Sequence, residues 1–157
     1  MQYRFELNSL SDTKMLANKI AGILQYGFII ALNGDLGSGK TTLTREILSS
    51  LGIKGTIKSP TYTLVEQYSI SGFDLCHFDL YRFNDPDEWI YAGFDEYFHH
   101  QAICFIEWAE NAAGLIPVID WTVTISVIDE NKRSLLIETK TDLGKQCLIQ
   151  LTTNDAN

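Results

Sequence analysis

The sequence GDLGSGKT, at residues 34–41, decides the predicted fold of this chain. Its spacing, G-x-x-x-x-G-K-T, is that of a loop whose backbone N–H groups hold phosphate. The apolar run at 28–32 before it indicates a buried strand, and the segment at 41–51 after it has apolar residues at helical spacing. Strand, glycine-rich loop and helix in this order predict the core unit of a P-loop fold.

Each residue type in this loop has a physical role in holding a nucleotide phosphate. Gly37 and Gly39 let the backbone approach phosphate where a Cβ would collide, and the start of the following helix adds a partial positive charge. The Lys40 ammonium reaches the β- and γ-phosphate oxygens, and the Thr41 hydroxyl can hold Mg²⁺. The sequence therefore predicts a nucleotide site formed by Asp35, Leu36, Gly37, Ser38, Gly39, Lys40, Thr41 and Thr42.

Two carboxylates follow apolar runs elsewhere in the chain. Glu107 follows the run at 103–106, as in a Walker-B strand, and Asp79 lies near the end of the run at 73–80. Because an α/β sheet collects the ends of its parallel strands at one edge, both acids are expected beside the phosphate loop. Each can hold Mg²⁺ or orient water there, or can be an ordinary solvated carboxylate at a strand end. Lys40, Asp79 and Glu107 are therefore the candidate catalytic residues.

Two further features leave alternatives open. The segment S-P-T-Y at 59–62 follows the loop helix, where its hydroxyls can contact a γ-phosphate as a switch segment. The same segment is equally consistent with a rigid proline turn that leads into a strand. Trp108, beside Glu107, can pack on an adenine base or cover the core.

The charge balance argues against direct nucleic-acid binding. Twenty Asp and Glu outweigh twelve Lys and Arg among 157 residues, for a formal net charge of −8. Nucleic-acid binders draw most of their affinity from basic surfaces, so we expect no DNA contact and a basic protein partner. No apolar run approaches the roughly 18 residues of a membrane span, and the N-terminus lacks a signal-peptide pattern. We therefore expect a cytoplasmic protein without membrane contact.

The periodicity of the chain predicts a single α/β domain over residues 1–157. Apolar patterns indicate strands at 3–7, 28–32, 64–70, 73–80, 102–106, 121–127 and 134–140. Helical spacing and capping residues indicate helices from Ser9 or Ser11 to about Gln25, and at 41–51, 86–93 and 142–151. Residues 153–157 are expected to form a frayed tail. The sum is a three-layer P-loop NTPase-like fold with a mixed parallel and antiparallel sheet.

Missing features narrow the function classes. The segment N-K-R-S at 131–134 lacks the aspartate of a guanine-reading N-K-x-D motif. Four arginines and no lid-length insertion disfavour a small-molecule kinase, which closes over two substrates. No arginine adjoins the phosphate loop, residues 59–61 or Glu107 in the sequence, so Arg82, near Asp79, is the candidate catalytic arginine of the chain, or alternatively a contact to the partner. A kinase, and a nucleotide-gated adaptor with incidental hydrolysis, are the alternatives to an ATPase.

Several motifs together resemble those of the TsaE (YjeE) family, in order and spacing, over about residues 1–150. The phosphate loop is common to many families, whereas S-P-T-Y combined with H-F-D-L-Y-R is specific. The motifs are G-D-L-G-S-G-K-T-T at 34–42, S-P-T-Y-T-L-V-E at 59–66, H-F-D-L-Y-R at 77–82, D-P at 85–86, G-F-D-E-Y-F at 93–98 and I-E-W at 106–108.

The resemblance implies a bacterial ATPase that binds ATP/ADP and Mg²⁺ and serves tRNA modification. Such a protein assists TsaD and TsaB, which install threonylcarbamoyladenosine beside the tRNA anticodon from an adenylate that TsaC supplies. Contact with tRNA would be indirect, through that complex. The resemblance also implies that Thr41 and Glu107 serve Mg²⁺, that Asp79 serves the catalytic water or the metal shell, and that Trp108 lies in the nucleotide pocket.

Overall fold

The computed structural model describes residues 1–154, which contain seven strands and four α-helices. The strands are β1 (Gln2–Leu7), β2 (Ile29–Asn33), β3 (Val65–Ile70), β4 (Phe73–Asp79), β5 (Ala102–Glu107), β6 (Trp121–Val127) and β7 (Arg133–Thr139). The helices are α1 (Leu10–Ile23), α2 (Lys40–Ser50), α3 (Pro86–Tyr91) and α4 (Asp142–Thr153), with short 3₁₀ helices at Phe94–Tyr97 and Ala109–Ala112. None of the helices in this range is long and apolar enough to cross a membrane.

The strands form one mixed sheet in the order β1-β7-β6-β2-β5-β4-β3. The four strands β6, β2, β5 and β4 run parallel and form its centre. At one side β3 joins β4 as an antiparallel hairpin, and at the other side β7 and β1 are added antiparallel. The predicted mixed sheet, with a parallel core and antiparallel hairpins, is confirmed.

Helices cover both faces of the central strands, which confirms the three predicted layers. Ile30 and Leu32 of β2 pack into a core with residues of α1, α2 and α4. Ile29 and Ala31, which alternate with them, pack on the opposite face with Trp89 of α3. A strand buried on both faces needs apolar residues at successive positions, which explains the continuous apolar run before the phosphate loop.

Two helix caps lie where the sequence predicts them. Of the two candidate caps of α1, Ser9 is the one used, and its hydroxyl accepts the Asp12 N–H at 3.2 Å. Asp85 caps α3 and accepts the Asp87 N–H, with Pro86 at the first helical position. Both arrangements satisfy N–H groups that lack a partner within the helix.

The end of α4 differs from the prediction. The helix continues to Thr153, so the prediction that a frayed tail begins at that residue is wrong. The N–H of Asn154 still bonds to the Gln150 carbonyl, and this bond together with the buried Leu151 holds the last turn. Residues 155–157 of the predicted tail lie outside the described residues.

The first turn of α4 approaches β6 too closely for a side chain at Gly144. A Cβ there would lie 2.4 Å from the Asp120 carbonyl oxygen and 3.2 Å from Trp121 Cδ1. The Trp121 indole N–H donates to the Gly144 carbonyl at 2.7 Å, and the Thr141 hydroxyl donates to the Asp120 carboxylate at 2.6 Å. These bonds fix the helix against the strand at a distance that only glycine permits.

Gly144→Ala is therefore expected to lower the free energy of unfolding by about 1–3 kcal/mol, because the helix must move off the sheet. Gly22→Ala is the matched control, since Gly22 lies in α1 and a Cβ there meets nothing within 4 Å. The control should keep stability unchanged or raise it by up to about 1 kcal/mol. Urea unfolding followed by circular dichroism measures both variants, and equal stabilities would contradict this packing.

Candidate nucleotide-binding and catalytic site

The predicted site residues meet at the edge of the sheet where the parallel strands end. Leu32 of β2 pairs with Glu107 at the end of β5, and Glu107 pairs in turn with Asp79 at the end of β4. The loop that leaves β2 and the two predicted carboxylates are therefore neighbours. This edge is also where open α/β sheets bind ligands.

The loop at 34–39 turns in front of the N-terminus of α2. Gly37 and Gly39 have φ angles of 78° and 111°, which glycine adopts at little cost. The Ser38 N–H donates to the Asp35 carbonyl at 3.0 Å and closes the turn. A Cβ on either glycine would meet nothing within 4 Å, so both face open space. That space, beside the N–H groups of a helix start, fits a phosphate group.

Lys40 is buried inside this loop, with 5% of its surface exposed. Its ammonium donates to the carbonyl of Gly34 and, at 3.2 Å, to that of Asp35. The Trp108 ring centroid lies 4.4 Å from Nζ, a cation–π contact. Because these partners are neutral, the charge of the ammonium stays available to an anion that enters the loop.

Thr41, Glu107 and His77 form a hydrogen-bonded chain across α2, β5 and β4. The Thr41 hydroxyl donates to Glu107, with Oγ1 at 2.9 Å from Oε1 and 3.1 Å from Oε2. His77 Nε2 lies 2.6 Å from Glu107 Oε2. Glu107 is 2% exposed and His77 is fully buried. A carboxylate this buried needs hydrogen-bond donors, which the hydroxyl and the imidazole supply.

Asp79 lies in register with Glu107 and is held by the backbone. Its Oδ1 accepts the Tyr81 N–H at 3.0 Å. Burial raises the pKa of Asp79, and the nearby Glu107 charge adds to this rise, although the Tyr81 N–H opposes it. The raised pKa makes this carboxylate a better proton acceptor than an exposed aspartate.

A cavity of about 250 Å³ at this edge brings together every predicted site residue. Its walls contain Asp35, Leu36, Gly37, Ser38, Gly39, Lys40, Thr41, Thr42, Asp79, Glu107 and Trp108, together with Thr61 and Tyr81. The structure therefore gathers in one place residues that the sequence separates by more than seventy positions.

Trp108 forms one wall of this cavity and has an unusual backbone conformation. Its φ of 59° and ψ of 42° lie in the left-handed region, which a bulky residue rarely adopts. Its ring packs 4.9 Å from the Tyr81 ring, in addition to its contact with the Lys40 ammonium. Trp108 therefore lies at the part of the cavity that Lys40 occupies.

The segment at 59–62 reaches the cavity through Thr61. The hydroxyl oxygens of Ser59 and Thr61 lie 2.8 Å apart. Tyr62 is 82% exposed, and its ring centroid lies 4.7 Å from the Arg82 guanidinium carbon. Arg82, the predicted catalytic arginine, thus packs on the outer side of this segment.

The expectation that no arginine adjoins the phosphate loop is wrong, because the fold brings Arg133 to it. Arg133 Nε donates to the Ser38 carbonyl at 3.1 Å, and Nη1 donates to the Asp129 carbonyl at 2.8 Å. Arg133 begins β7, which runs antiparallel to β6, while β6 runs parallel to β2. The first residue of β7 therefore lies at the edge where β2 ends, a contact that follows from sheet order rather than from sequence distance.

Sequence reasoning also missed the contact of His77 with Glu107. His77 precedes Asp79 by two residues in a strand, and residues two apart share a face of the sheet. This alternation was the signal that could have placed His77 beside the two candidate carboxylates.

A second cavity of about 250 Å³ adjoins the phosphate loop near the start of α1. It shares Gly37, Ser38, Gly39 and Thr42 with the first cavity. The end of β1, the start of α1, α2 and the β6–β7 hairpin supply its remaining walls, namely Leu7, Ser9, Leu10, Thr13, Leu43, Ile125, Glu130, Asn131 and Arg133. Apolar walls with a few hydroxyl and amide groups are typical of a site for a small organic group.

A phosphate loop between a central parallel strand and a helix, with a carboxylate at the end of the neighbouring strand, defines a P-loop NTPase-like protein. The family model described as threonylcarbamoyl adenosine biosynthesis protein TsaE matches residues 7–135 of the chain. The chain therefore belongs to the TsaE family, whose members are named as proteins of tRNA threonylcarbamoyladenosine biosynthesis.

Individual relatives and a solved structure agree with this assignment. TsaE of Haemophilus influenzae is 48% identical over 124 residues, which cover 79% of this chain and 78% of that protein. TsaE of Bacillus subtilis is 34% identical over 134 residues, which cover 85% and 84%. The crystal structure of Bacillus subtilis YdiB matches with a TM-score of 0.84 and 27% identity, covering 99% of this chain and 97% of that chain.

Proposed function

We propose that this protein binds and hydrolyses ATP with Mg²⁺, and that hydrolysis serves threonylcarbamoyl transfer to tRNA through a TsaD- and TsaB-like complex. The contact between Thr41 and Glu107, at 2.9 Å beside the start of α2, carries the proposal. A hydroxyl and a carboxylate that face each other at the end of a phosphate loop are oxygen ligands of the kind that Mg²⁺ takes in P-loop ATPases.

Thr41 and Glu107 would hold the metal, and Lys40 would bind the phosphates. When bound, Mg²⁺ would supply positive charge that offsets the negative charge developing on the phosphate groups during hydrolysis. The Thr41 hydroxyl proton would turn away from Glu107, so that the hydroxyl oxygen becomes a ligand. Lys40 would exchange the Gly34 and Asp35 carbonyls for phosphate oxygens, which gives stronger, charge-assisted hydrogen bonds.

Asp79 would orient the attacking water and accept its proton. It lines the same cavity as Lys40 and Glu107, and Tyr81 holds one of its two oxygens. The pKa of Asp79, raised by burial, suits a carboxylate that takes up a proton during catalysis. This role needs the ionised carboxylate, so hydrolysis should fall as pH decreases through that raised pKa.

The second cavity would hold the base and ribose of the nucleotide. It shares the loop residues 37–39 and Thr42 with the first cavity, but Glu107 lines only the first. Leu7, Leu10 and Ile125 offer apolar contact to a flat base, while Asn131 and the hydroxyls of the cavity offer hydrogen bonds. Trp108 would then contact the phosphate end, by way of Lys40, rather than the base.

Turnover by the chain alone should be slow, because the two arginines near the site, Arg82 and Arg133, have other partners. Phosphoryl transfer depends on charge stabilisation, and an arginine finger contributes roughly 10³–10⁵ in rate. Arg82 packs on Tyr62, and Arg133 bonds to the Ser38 carbonyl. A partner complex that supplies or frees a cation would accelerate hydrolysis, and a net charge of −8 suits a basic partner surface.

Incubation of the protein with MgATP, followed by measurement of bound nucleotide and of all phosphate products, tests the proposed activity. We expect saturable ATP binding, weaker GTP binding, and slow release of phosphate into solution. Phosphate transferred to an acceptor metabolite would instead identify a kinase. A folded protein that binds no ATP would contradict the proposal.

A further inference from the structure

His77 is a buried polar residue to which the proposed hydrolysis gives no role. It is 0% exposed and lies on β4, two residues before Asp79. Its Nδ1 has no hydrogen-bond partner within residues 1–154, whereas Nε2 lies 2.6 Å from Glu107 Oε2. Since a carboxylate accepts, we assign the proton to Nε2, which donates to Glu107. Within the described residues the buried ring therefore makes a single hydrogen bond, and its partner is Glu107 of the candidate site.

The bond from His77 distinguishes the two oxygens of Glu107, because His77 contacts only one of them. Oε2 lies 2.6 Å from His77 Nε2, and the Thr41 hydroxyl oxygen lies 2.9 Å from Oε1 and 3.1 Å from Oε2. Glu107 is 2% exposed, so the donors from His77 and Thr41 offset much of the cost of burying its charge. One oxygen is thus held by β4 while the other faces the start of α2.

We propose that His77 is a positioning residue for the metal site: its Nε2–H holds Oε2 and keeps Oε1 directed at Thr41, where Mg²⁺ would bind. This inference rests on the proposed function. Groups that orient a metal ligand in this way typically change metal affinity or activity by about 10–100-fold. A histidine that only filled the core would affect stability, and would affect nucleotide binding equally with and without metal.

Calorimetric titration with ATP, once with Mg²⁺ and once with EDTA, separates these roles. His77→Leu removes the donor, and His77→Gln keeps an N–H donor at similar reach. We expect the leucine variant to bind MgATP at least about tenfold more weakly than wild type, with ATP affinity in EDTA unchanged. The glutamine variant should recover most of the Mg²⁺-dependent gain in affinity.

His99→Leu is the matched control. His99 Nε2 also pairs with a carboxylate, that of Asp74 at 2.9 Å, but Asp74 lies near the start of β4, at the opposite edge of the sheet. This control should keep the full Mg²⁺-dependent gain in affinity. If His77→Leu fails to fold, His77→Asn replaces it, because its shorter amide does not reach Glu107.

The positioning role would be overturned if His77→Leu, or His77→Asn in its place, kept the wild-type gain in ATP affinity from Mg²⁺. It would also be overturned if that variant lost ATP affinity equally in Mg²⁺ and in EDTA. A His77→Gln variant that binds MgATP as weakly as His77→Leu or His77→Asn would overturn it as well. If wild-type protein binds ATP with no gain from Mg²⁺, or binds none, the proposed function is itself wrong and the inference fails with it. The wild-type titration therefore tells the two failures apart.

Discussion

Replacing Lys40 by alanine is expected to weaken ATP binding by one to two decades and to abolish measurable hydrolysis. Charge-assisted hydrogen bonds of this kind contribute roughly 1.5–3 kcal/mol, and the ammonium would direct them at the phosphates. In the described structure Lys40 bonds to the carbonyls of Gly34 and Asp35, which belong to the loop rather than to the core. The variant should therefore fold, and its loss should appear in nucleotide binding.

Lys54→Ala provides the control for this experiment. Lys54 is exposed and lies just beyond the C-terminal end of α2, away from the phosphate loop. Its removal changes the net charge as the loss of Lys40 does, and ATP affinity should stay at the wild-type value. Calorimetry that finds unchanged ATP affinity in a folded Lys40→Ala protein would refute the phosphate-loop assignment.

Loss of Glu107 and loss of Asp79 are expected to impair different steps. Glu107→Ala removes the proposed metal ligand opposite Thr41, so the gain in ATP affinity from Mg²⁺ should disappear. Asp79→Ala should bind MgATP almost normally but turn over about 10²–10⁴-fold more slowly, the range for loss of a general base. Titration in Mg²⁺ and EDTA, combined with phosphate release, measures both. Equal and metal-independent defects would favour a shared structural role for the two carboxylates.

Asp79→Asn supplies an internal control for folding in this comparison. Burial raises the pKa of Asp79, so the ionised carboxylate costs stability in the folded protein. The cost is absent below the pKa of an unfolded aspartate, about 3.9, and grows as pH rises through the folded value. Asparagine keeps an acceptor for the Tyr81 N–H, and at pH 7–8 this metal-free variant should unfold at a higher temperature than wild type. If Asp79→Asn is more stable than wild type yet hydrolyses ATP slowly, its loss of activity cannot be due to misfolding.

The local parts of the fold could be predicted because their signals lie close together in the sequence. The phosphate loop, the Asp85 cap and the two strand-end carboxylates each depend on residues a few positions apart. Their convergence followed from one general rule, that parallel strands end at a common edge. The rule sufficed to bring Asp79 and Glu107 to the loop, in register with each other.

Contacts that depend on strand order could not be predicted in the same way. Arg133 reaches Ser38 because β7 runs back along β6, and the sequence shows the hairpin but not the neighbour of β6. The contact of Thr41 with Glu107 depends on the packing of α2 against β5, which spacing alone does not give. The left-handed conformation of Trp108 has no sequence signal, since bulky residues avoid that region.

The most direct test of the account is the rate of ATP turnover with and without partners. The measurement compares the chain alone with the chain plus a TsaB–TsaD complex, in the presence and absence of tRNA, and confirms complex formation separately. The account predicts slow turnover alone and an acceleration of at least about tenfold with the complex, a modest part of what an added cation can supply. An unchanged rate in a mixture where the complex has formed would contradict it.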